Sequence, residues 1–254
     1  MALEALLFDV DGTLADTERD GHRVAFNMAF RDAGLDWDWD VALYGKLLTV
    51  TGGKERIRYY LDKFNTGFER PEALDEFIAN LHKAKTVHYT ELLGKGAIPL
   101  RPGVERLLNE ARDAGMRMAI ATTTTPANVE ALLVNTLGQE SMDWFEVIAA
   151  GDIVPAKKPA PDIFTYALEK MELTADKGFA FEDSRNGILS AQGANLPVLI
   201  TVNAYTEKDD FTGAALVLSN MGEPDAPFNV LAGTADNAQY VSLDLVKQLH
   251  QNMS

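Results

Sequence analysis

The sequence predicts an α/β fold, with a Rossmann-like three-layer core around a parallel sheet and an inserted helical cap domain. Apolar runs of strand length alternate with helical patterns, and one gap between strands is too long for a simple connection. Such alternation is typical of a parallel sheet that is covered by helices on both faces. The runs that predict buried strands are residues 5–10, 117–122, 178–182 and 198–202.

Helices are predicted between these strands from the spacing of apolar residues. The apolar positions of 104–111 lie on one helical face. Another helix begins with Thr125 as its cap and Pro126 at its first helical position. A third follows around residues 163–167. The tail from 205 to 254 carries no motif, and we expect it to complete the edge of the sheet and cover it.

A long gap separates the first two strands. The first strand ends near Asp9 and the next ends at Thr122, whereas a simple strand–helix–strand unit takes only about 30 residues. The residues between them have helical spacing and lack a convincing strand pattern. We therefore predict a helical cap domain at residues 17–94 and a core domain at residues 1–16 and 95–254.

Composition excludes several classes of function. The chain has 254 residues and a net charge of −15, with 38 acidic and 23 basic residues, so its surface repels nucleic acid and anionic lipid. It has no cysteine, which excludes disulfides and thiolate chemistry. Neither a signal-peptide pattern nor an apolar run of about 20 residues is present. We expect a cytoplasmic monomer without a nucleic-acid or membrane partner.

Two acidic residues stand at the end of the first predicted strand. Asp9 and Asp11 precede Gly12 and Thr13, and ligands of open parallel sheets bind beyond the carboxyl ends of the strands. Residues two apart on an extended chain point the same way, so both carboxylates can face one site. An Asp-x-Asp pair is equally typical of solvated turn acids, and alone it does not define a function.

Further polar residues fall at or just after the ends of predicted strands. They are Thr122 with Thr123 and Thr124, then Lys158 before Pro159, then Glu182 with Asp183. Hydroxyl groups and free N–H groups at a helix start suit phosphoryl oxygens. Taken singly, these residues are also typical of a strand-end cap, a solvated lysine pair and a helix-start acid pair. Their joint placement at one edge of one sheet favours phosphate chemistry.

In this order, the four motifs resemble the haloacid dehalogenase superfamily of phosphohydrolases. The resemblance implies that Asp9 attacks phosphorus, and that Asp11 protonates the leaving oxygen and then activates water. Thr122 and Lys158 would hold the phosphoryl oxygens and neutralise their charge. A halide leaving group needs no proton, so Asp11 favours a phosphatase over a dehalogenase.

The same resemblance implies a Mg²⁺ cofactor. Its ligands would be the carboxylates of Asp9 and Asp183 and the backbone carbonyl of Asp11, with Glu182 close by or acting through water. Hard oxygen ligands are what Mg²⁺ prefers. The ion would reduce the repulsion between the phosphate and the carboxylate that attacks it.

A glycine-rich turn that begins at Thr51 is the candidate for substrate contact in the cap domain. Glycines beside two cations form a reasonable anion cradle, and a further lysine follows in the same domain. The alternative is a solvated helix start; the glycines and the acidic background favour a second phosphate site. The residues concerned are Gly52, Gly53, Lys54, Arg56 and Lys85.

A more specific resemblance is to the CbbY-type branch of the superfamily, which is related to β-phosphoglucomutase. It rests on residues 16–27, 44–45 and 52–56. It implies a phosphatase that acts on xylulose-1,5-bisphosphate. Asp16 would then contact the sugar or the cap, with capping of a hinge as its alternative, while a single helical histidine such as His22 is more typical of a structural role.

The sequence therefore predicts a Mg²⁺-dependent phosphatase that acts on a small sugar phosphate through a phospho-aspartate at Asp9. A sugar-phosphate mutase uses the same phospho-aspartate and remains an alternative. A non-catalytic sugar-phosphate-binding protein is an alternative from another class. The intact set of Asp9, Asp11, Lys158 and Asp183 favours an enzyme.

Overall fold

The computed structural model describes residues 2–50 and 52–253. Thr51, the first residue of the predicted glycine-rich turn, lies outside the described residues. The described chain divides into two compact units. A core unit consists of the chain up to Asp16 and from Pro99 onward, and an inserted unit spans Thr17–Ile98.

The core unit contains a mostly parallel sheet. Within the described residues its strands are β1 (Ala5–Phe8), β2 (Arg117–Thr122), β3 (Val147–Ala150), β4 (Gly178–Glu182), β5 (Val198–Thr201), β6 (Leu216–Leu218) and β7 (Val230–Gly233). Their order is β3-β2-β1-β4-β5-β6-β7, and only the β6–β7 pair is antiparallel among them. The predicted α/β class is confirmed.

The order of the strands determines where a ligand would bind. From β1 the chain passes to β2 on one side and later to β4 on the other, so the order reverses beside β1. Every residue of β1 is fully buried, as a central strand covered on both faces must be. Phe8 aligns with Ile120 of β2 and with Phe181 of β4. The carboxyl ends of these strands therefore share one edge.

The four predicted strands are present, although β1 and β5 end earlier than expected, at Phe8 and Thr201. β3, β6 and β7 were missed, because runs of three or four residues are too short to separate from other apolar segments. β6 and β7 extend the sheet at one edge, which confirms the expectation that the tail completes it.

The inserted unit is helical. A π-helical turn at Thr17–His22 leads into α1 (Arg23–Asp32), which is followed by α2 (Val41–Leu47), α3 (Gly53–Lys63) and α4 (Leu74–Gly94). No strand occurs among the residues of this unit that the structure describes. Its interior is rich in aromatic side chains, since burial includes Phe26, Phe30, Trp37, Trp39, Tyr44 and Tyr60.

The remaining helices surround the sheet of the core unit. They are α5 (Val104–Asp113), α6 (Pro126–Leu137), α7 (Asp162–Lys170), α8 (Arg185–Gly193) and α9 (Leu243–Met253), with short 3₁₀ turns at Gln139–Trp144 and Ala175–Lys177. Thr125 caps α6 through a hydrogen bond from the Asn128 N–H, and Pro126 is its first residue, as predicted. None of the helices over residues 2–50 and 52–253 combines the length and apolar character that a bilayer crossing needs.

Candidate active site

A tight turn after β1 positions the first acidic pair. The Asp9 N–H donates to the Phe181 carbonyl at 3.0 Å, which continues the β1–β4 pairing by one residue. The chain then folds back, with the Gly12 N–H donating to the Ala15 carbonyl at 2.7 Å. Asp9 is 6% exposed, and Asp11 is half-buried. The turn thus presents Asp9 at the reversal point of the sheet.

Lys158 joins this edge from the loop before α7. Its ammonium donates to Oδ1 of Asp9 at 2.7 Å, to the Ala121 carbonyl at 2.8 Å and to Oε1 of Glu182. The Lys158 side chain is only 6% exposed. A buried ammonium with three oxygen acceptors is held in one place, so Lys158 is a fixed positive charge beside Asp9.

Three buried carboxylates gather at the ends of β1 and β4. Asp9, Glu182 and Asp183 each offer one oxygen, and these oxygens all lie within 4.8 Å of one another. The ammonium of Lys158 compensates only part of their negative charge. An excess of buried negative charge on hard oxygen donors fits a divalent cation such as Mg²⁺. The side chain of Asp11 is not part of this group.

Burial and the neighbouring acids raise the pKa values of Glu182 and Asp183. Burial raises the pKa of Glu182 to about 8, with Asp9 adding to the shift and Lys158 opposing it. Burial, Asp9 and Glu182 raise the pKa of Asp183 well above its ordinary value. Burial would lower the pKa of Lys158, but Asp9 and Glu182 outweigh it and raise that pKa.

The threonine run after β2 is divided between buried and exposed residues. Thr122 is 1% exposed, and its hydroxyl oxygen accepts from the Thr124 N–H at 3.4 Å. Thr124 is also buried, and its hydroxyl oxygen accepts from the Asn128 amide at 3.1 Å. Thr123 is exposed. The assignment of this run to phosphoryl oxygens stays a prediction.

Two glycines allow other groups to approach the acids closely. A Cβ at Gly12, whose φ is +88°, would overlap the Asp183 carboxylate. A Cβ at Gly187, in the first turn of α8, would overlap the Glu182 carboxylate. Ser184 caps that turn by accepting the Gly187 N–H at 3.1 Å. The start of α8 is therefore packed directly against Glu182, where the helix dipole favours negative charge.

Arg101 belongs to the surroundings of the site, and the sequence analysis missed it. The residue is 8% exposed in a loop just after the insertion, and its guanidinium donates to the carbonyls of Gly12, Thr201, Val202 and Ser219. It thus joins the turn after β1 to the ends of β5 and β6. An arginine between Leu100 and Pro102 carries no sequence signal for this role.

Asp16 contacts this arginine. Its Oδ1 lies 3.4 Å from Nε of Arg101, and Ala15 pairs with Leu100 in an isolated antiparallel bridge. The two chain segments that flank the insertion are therefore tied together within the core unit. The assignment of Asp16 to the sugar stays a prediction.

Asn203 was also missed. Its side-chain amide donates to Oδ2 of Asp183 at 2.6 Å. A sequence signal was available, because Asn203 directly follows the predicted strand at 198–202, as Asp183 follows the predicted strand at 178–182. The same reasoning about strand ends would have included it.

Within the inserted unit, Arg56 lies in a buried polar cluster. Arg56 is 8% exposed, and it donates to the Tyr44 hydroxyl at 2.8 Å. That hydroxyl in turn donates to Oε2 of Glu18 at 2.6 Å. Burial would raise the pKa of Glu18, but His22, Arg56 and the bond from Tyr44 lower it. Arg56 is thus held by its own unit.

Lys85 occupies the other side of this cluster. It is 8% exposed and lies 2.7 Å from Nδ1 of His22, above the rings of Phe26 and Tyr89. Burial lowers the pKa of His22 to about 3, and Lys85 adds to the shift while Glu18 opposes it. A neutral His22 therefore accepts a hydrogen bond from the Lys85 ammonium.

The glycine-rich turn itself lies at the surface of the inserted unit. Gly52 and Lys54 are exposed, Gly53 is half-buried, and Gly52 has a φ of +96°, a conformation that favours glycine. Arg56 and Lys85 are buried cations, whereas Lys54 is solvated. The assignment of these groups to a second phosphate stays a prediction.

Comparison with known proteins identifies close relatives. The model of the haloacid dehalogenase-like hydrolase family matches residues 3–195. The chain is 47% identical over 225 residues to a plasmid-encoded CbbY protein of Cupriavidus necator, which covers 89% of this chain and 88% of that protein. It is 50% identical over 214 residues to CbbY of Rhodobacter capsulatus, covering 84% and 92% of the two chains.

A solved structure provides the three-dimensional counterpart. It is a CbbY variant from Rhodobacter sphaeroides in complex with xylulose-(1,5)bisphosphate, with 45% sequence identity and a TM-score of 0.73. The alignment covers 86% of this chain and 94% of that one. The sequence comparison and the structural comparison therefore both find CbbY proteins.

Proposed function

Because this chain belongs to the haloacid dehalogenase-like hydrolases, we propose that it is a Mg²⁺-dependent phosphatase that acts on a small sugar phosphate through a phospho-aspartate at Asp9. The observation that carries the proposal is the arrangement of Asp9 between Lys158 and the buried acids Glu182 and Asp183. It lies where open parallel sheets bind their ligands.

In the first step, a carboxylate oxygen of Asp9 attacks phosphorus and the bond from phosphorus to the sugar oxygen breaks. Asp11, in its protonated form, gives its proton to the leaving oxygen. The half-buried position of Asp11 beside the buried Asp9 suits an acid that must reach both the leaving group and solvent. The sugar leaves as a neutral alcohol.

In the second step, Asp11 takes a proton from water, and the water oxygen attacks phosphorus. The bond between phosphorus and Asp9 breaks, which releases inorganic phosphate and restores the carboxylate. Lys158 stays beside Asp9 and neutralises charge on the phosphoryl oxygens. Thr122 is the candidate donor from the end of β2.

Asp9, Glu182 and Asp183 would hold Mg²⁺, together with the backbone carbonyl of Asp11. Bound there, the ion supplies positive charge that offsets the repulsion between a phosphate and the carboxylate that attacks it. Burial is the main cause of the raised pKa of Glu182 and of Asp183, and the neighbouring acids add to both shifts; a cation bound there would favour the charged form of each carboxylate.

For the substrate, we propose a sugar bisphosphate, with xylulose-1,5-bisphosphate as the specific candidate. That compound is bound by the Rhodobacter sphaeroides CbbY variant, which is 45% identical to this chain. The inserted unit supplies Lys54, Arg56 and Lys85 as cations for the second phosphate. In a chain with a net charge of −15, these three cations of the inserted unit are candidates for binding an anionic group.

Phosphate release from xylulose-1,5-bisphosphate and from xylulose 5-phosphate, each with and without Mg²⁺, tests the proposal. We expect Mg²⁺-dependent release and a preference for the bisphosphate. Asp9→Asn is expected to be folded and inactive, whereas Asp113→Asn, at a side chain that is 69% exposed, serves as the matched control. Full activity of Asp9→Asn would refute the phospho-aspartate.

The same assay separates hydrolysis from phosphoryl transfer between sugar hydroxyls. Conversion of β-glucose 1-phosphate to the 6-phosphate, without release of phosphate, would identify a mutase instead. For the second phosphate site, Arg56→Met is expected to raise KM for the bisphosphate more than KM for the monophosphate. An equal change in both would place Arg56 in a purely structural role.

A further inference from the structure

We propose that Asn203 is a positioning residue that orients the Asp183 carboxylate for Mg²⁺. The inference rests on the proposed function, because it assigns Asp183 to the metal site. Asn203 is not itself a proposed ligand of the metal. It acts on the metal only through Asp183.

The hydrogen bonds of Asn203 determine which way its amide faces. Its Oδ1 accepts the Tyr205 N–H at 2.9 Å. A backbone N–H can only donate, so the oxygen of the amide must face Tyr205 and the NH₂ group must face Asp183. The NH₂ group lies 2.6 Å from Oδ2 of Asp183. This is a charge-assisted bond to one defined oxygen of the carboxylate.

The loop that carries Asn203 is held at both sides. The Asn203 N–H donates to the Thr206 hydroxyl at 3.1 Å. On the preceding side, the guanidinium of Arg101 binds the carbonyls of Thr201 and Val202. Arg101 also binds the Gly12 carbonyl in the turn after β1. The donor of Asn203 is therefore fixed relative to the turn that presents Asp9.

Gly12 leaves the space in which the two side chains meet. A Cβ at this position would overlap the Asp183 carboxylate and would lie 2.7 Å from Nδ2 of Asn203. Because Gly12 has no side chain, the backbone of the turn after β1 can lie against the Asn203–Asp183 pair. Outer groups of this kind orient a ligand carboxylate, and their loss weakens metal affinity about 10- to 100-fold.

A purely local role for Asn203 is the alternative, and Asn220 shows what that role looks like. At the end of β6, Oδ1 of Asn220 accepts the Gly222 N–H at 2.7 Å, which is the same turn geometry. Its NH₂ group, however, donates to the Ser219 hydroxyl at 3.4 Å and not to a site acid. Comparing variants of the two asparagines therefore distinguishes a role in forming the turn from a role in orienting Asp183.

The test compares Asn203→Ser with Asn220→Ser. Serine keeps an oxygen that can accept the N–H two residues on, but it is too short to reach Asp183. Mg²⁺ binding is measured by calorimetry on the substrate-free protein, and KM and kcat are measured over a range of Mg²⁺ concentrations. We expect Asn203→Ser to weaken Mg²⁺ binding at least about ten-fold with KM for the sugar phosphate unchanged, and Asn220→Ser to bind Mg²⁺ as the wild type does.

Asn203→Gln is the second variant, since it keeps the amide but displaces its donor by one carbon, and it is used if Asn203→Ser does not fold. A folded Asn203 variant with wild-type Mg²⁺ affinity would overturn the positioning role while leaving the phosphatase proposal intact. A wild-type protein that neither binds Mg²⁺ nor releases phosphate would overturn both.

Discussion

The ammonium of Lys158 lies 2.7 Å from Oδ1 of Asp9, although the two residues are far apart in the sequence. The same ammonium binds Oε1 of Glu182 and the Ala121 carbonyl, so it bridges the ends of three neighbouring strands. With its side chain 6% exposed, this charge is only weakly screened by solvent. It stabilises a carboxylate that would otherwise face two other acids without a counter-charge.

Lys158→Met is expected to lower kcat for phosphate release by about a thousand-fold, because a buried positive charge beside the reacting oxygens is lost. Lys158→Arg should also be strongly impaired, since a planar guanidinium does not fit the position of three converging acceptors. Steady-state kinetics at saturating Mg²⁺ provides the measurement.

Lys157 supplies the control for this prediction. It is the adjacent residue, its side chain is 53% exposed, and it pairs with Asp152 at the surface. Lys157→Met should retain wild-type kinetics. Comparable losses in both variants would mean that the loop, and not the Lys158 charge, supports activity.

Gly187→Ala is expected to displace the Glu182 carboxylate, because a Cβ at Gly187 would overlap it. We expect Mg²⁺ affinity to fall at least about ten-fold as the acid moves. Gly94→Ala is the matched substitution, since outside its own helix no described atom lies within 4 Å of the position of that Cβ. Calorimetric titration with Mg²⁺ compares the two, and unchanged affinity in Gly187→Ala would show that the position of Glu182 does not matter for the ion.

Arg101→Lys is expected to destabilise the protein by on the order of 3 kcal/mol. The guanidinium binds several buried carbonyls simultaneously, and a lysine ammonium would leave some of them without a hydrogen-bond donor. Denaturant unfolding measures the effect. Arg112→Lys, at a side chain that is 42% exposed, should change the free energy of unfolding by less than about 0.5 kcal/mol. Equal effects of the two substitutions would contradict the role given to Arg101.

Because the pKa of His22 is lowered in the folded protein, we expect the stability of the protein to depend on pH. Its pKa in the folded protein is about 3, below the ordinary value of 6.5, so protons bind preferentially to the unfolded chain between these values. The stability associated with neutral His22 is complete above about pH 6.5 and is lost as the pH falls toward 3. The expected loss between pH 7 and pH 5 is on the order of 2 kcal/mol.

His22→Gln should remove this part of the pH dependence. The variant is expected to be less stable at pH 7, since it loses the stacking of His22 on Tyr89 at 3.8 Å. Its stability should nevertheless change less than that of the wild type between pH 7 and pH 5. The same change in both proteins would show that folding does not lower the pKa of His22.

Much of the site follows from local patterns. Asp9, Thr122 and Asp183 stand at the ends of apolar runs that read as buried strands, and parallel pairing requires those ends to share an edge. The inserted helical unit was predictable in the same way, because its length and helical spacing exceed what a single crossover needs. The cap of α6 by Thr125 was also local information.

Other features depended on contacts between distant parts of the chain. The carbonyls that the Arg101 guanidinium binds lie 89 to 118 residues away in the sequence, and no periodicity relates a single arginine to them. The burial of Arg56 and Lys85 depends likewise on the helices that pack around them. β3, β6 and β7 are only three or four residues long, and they form strands because each pairs with a neighbouring strand of the sheet.

By itself, the sequence determined the α/β class, the insertion and the acids at the ends of the strands, because these follow from the period of apolar residues and from the direction of parallel strands. Only the tertiary structure decided that Lys158 contacts Asp9, that the missing side chain of Gly187 leaves room for the Glu182 carboxylate, and that Asn203 binds Asp183. Those contacts depend on the positions of atoms brought together by packing, and a pattern of residue types does not contain that distance information.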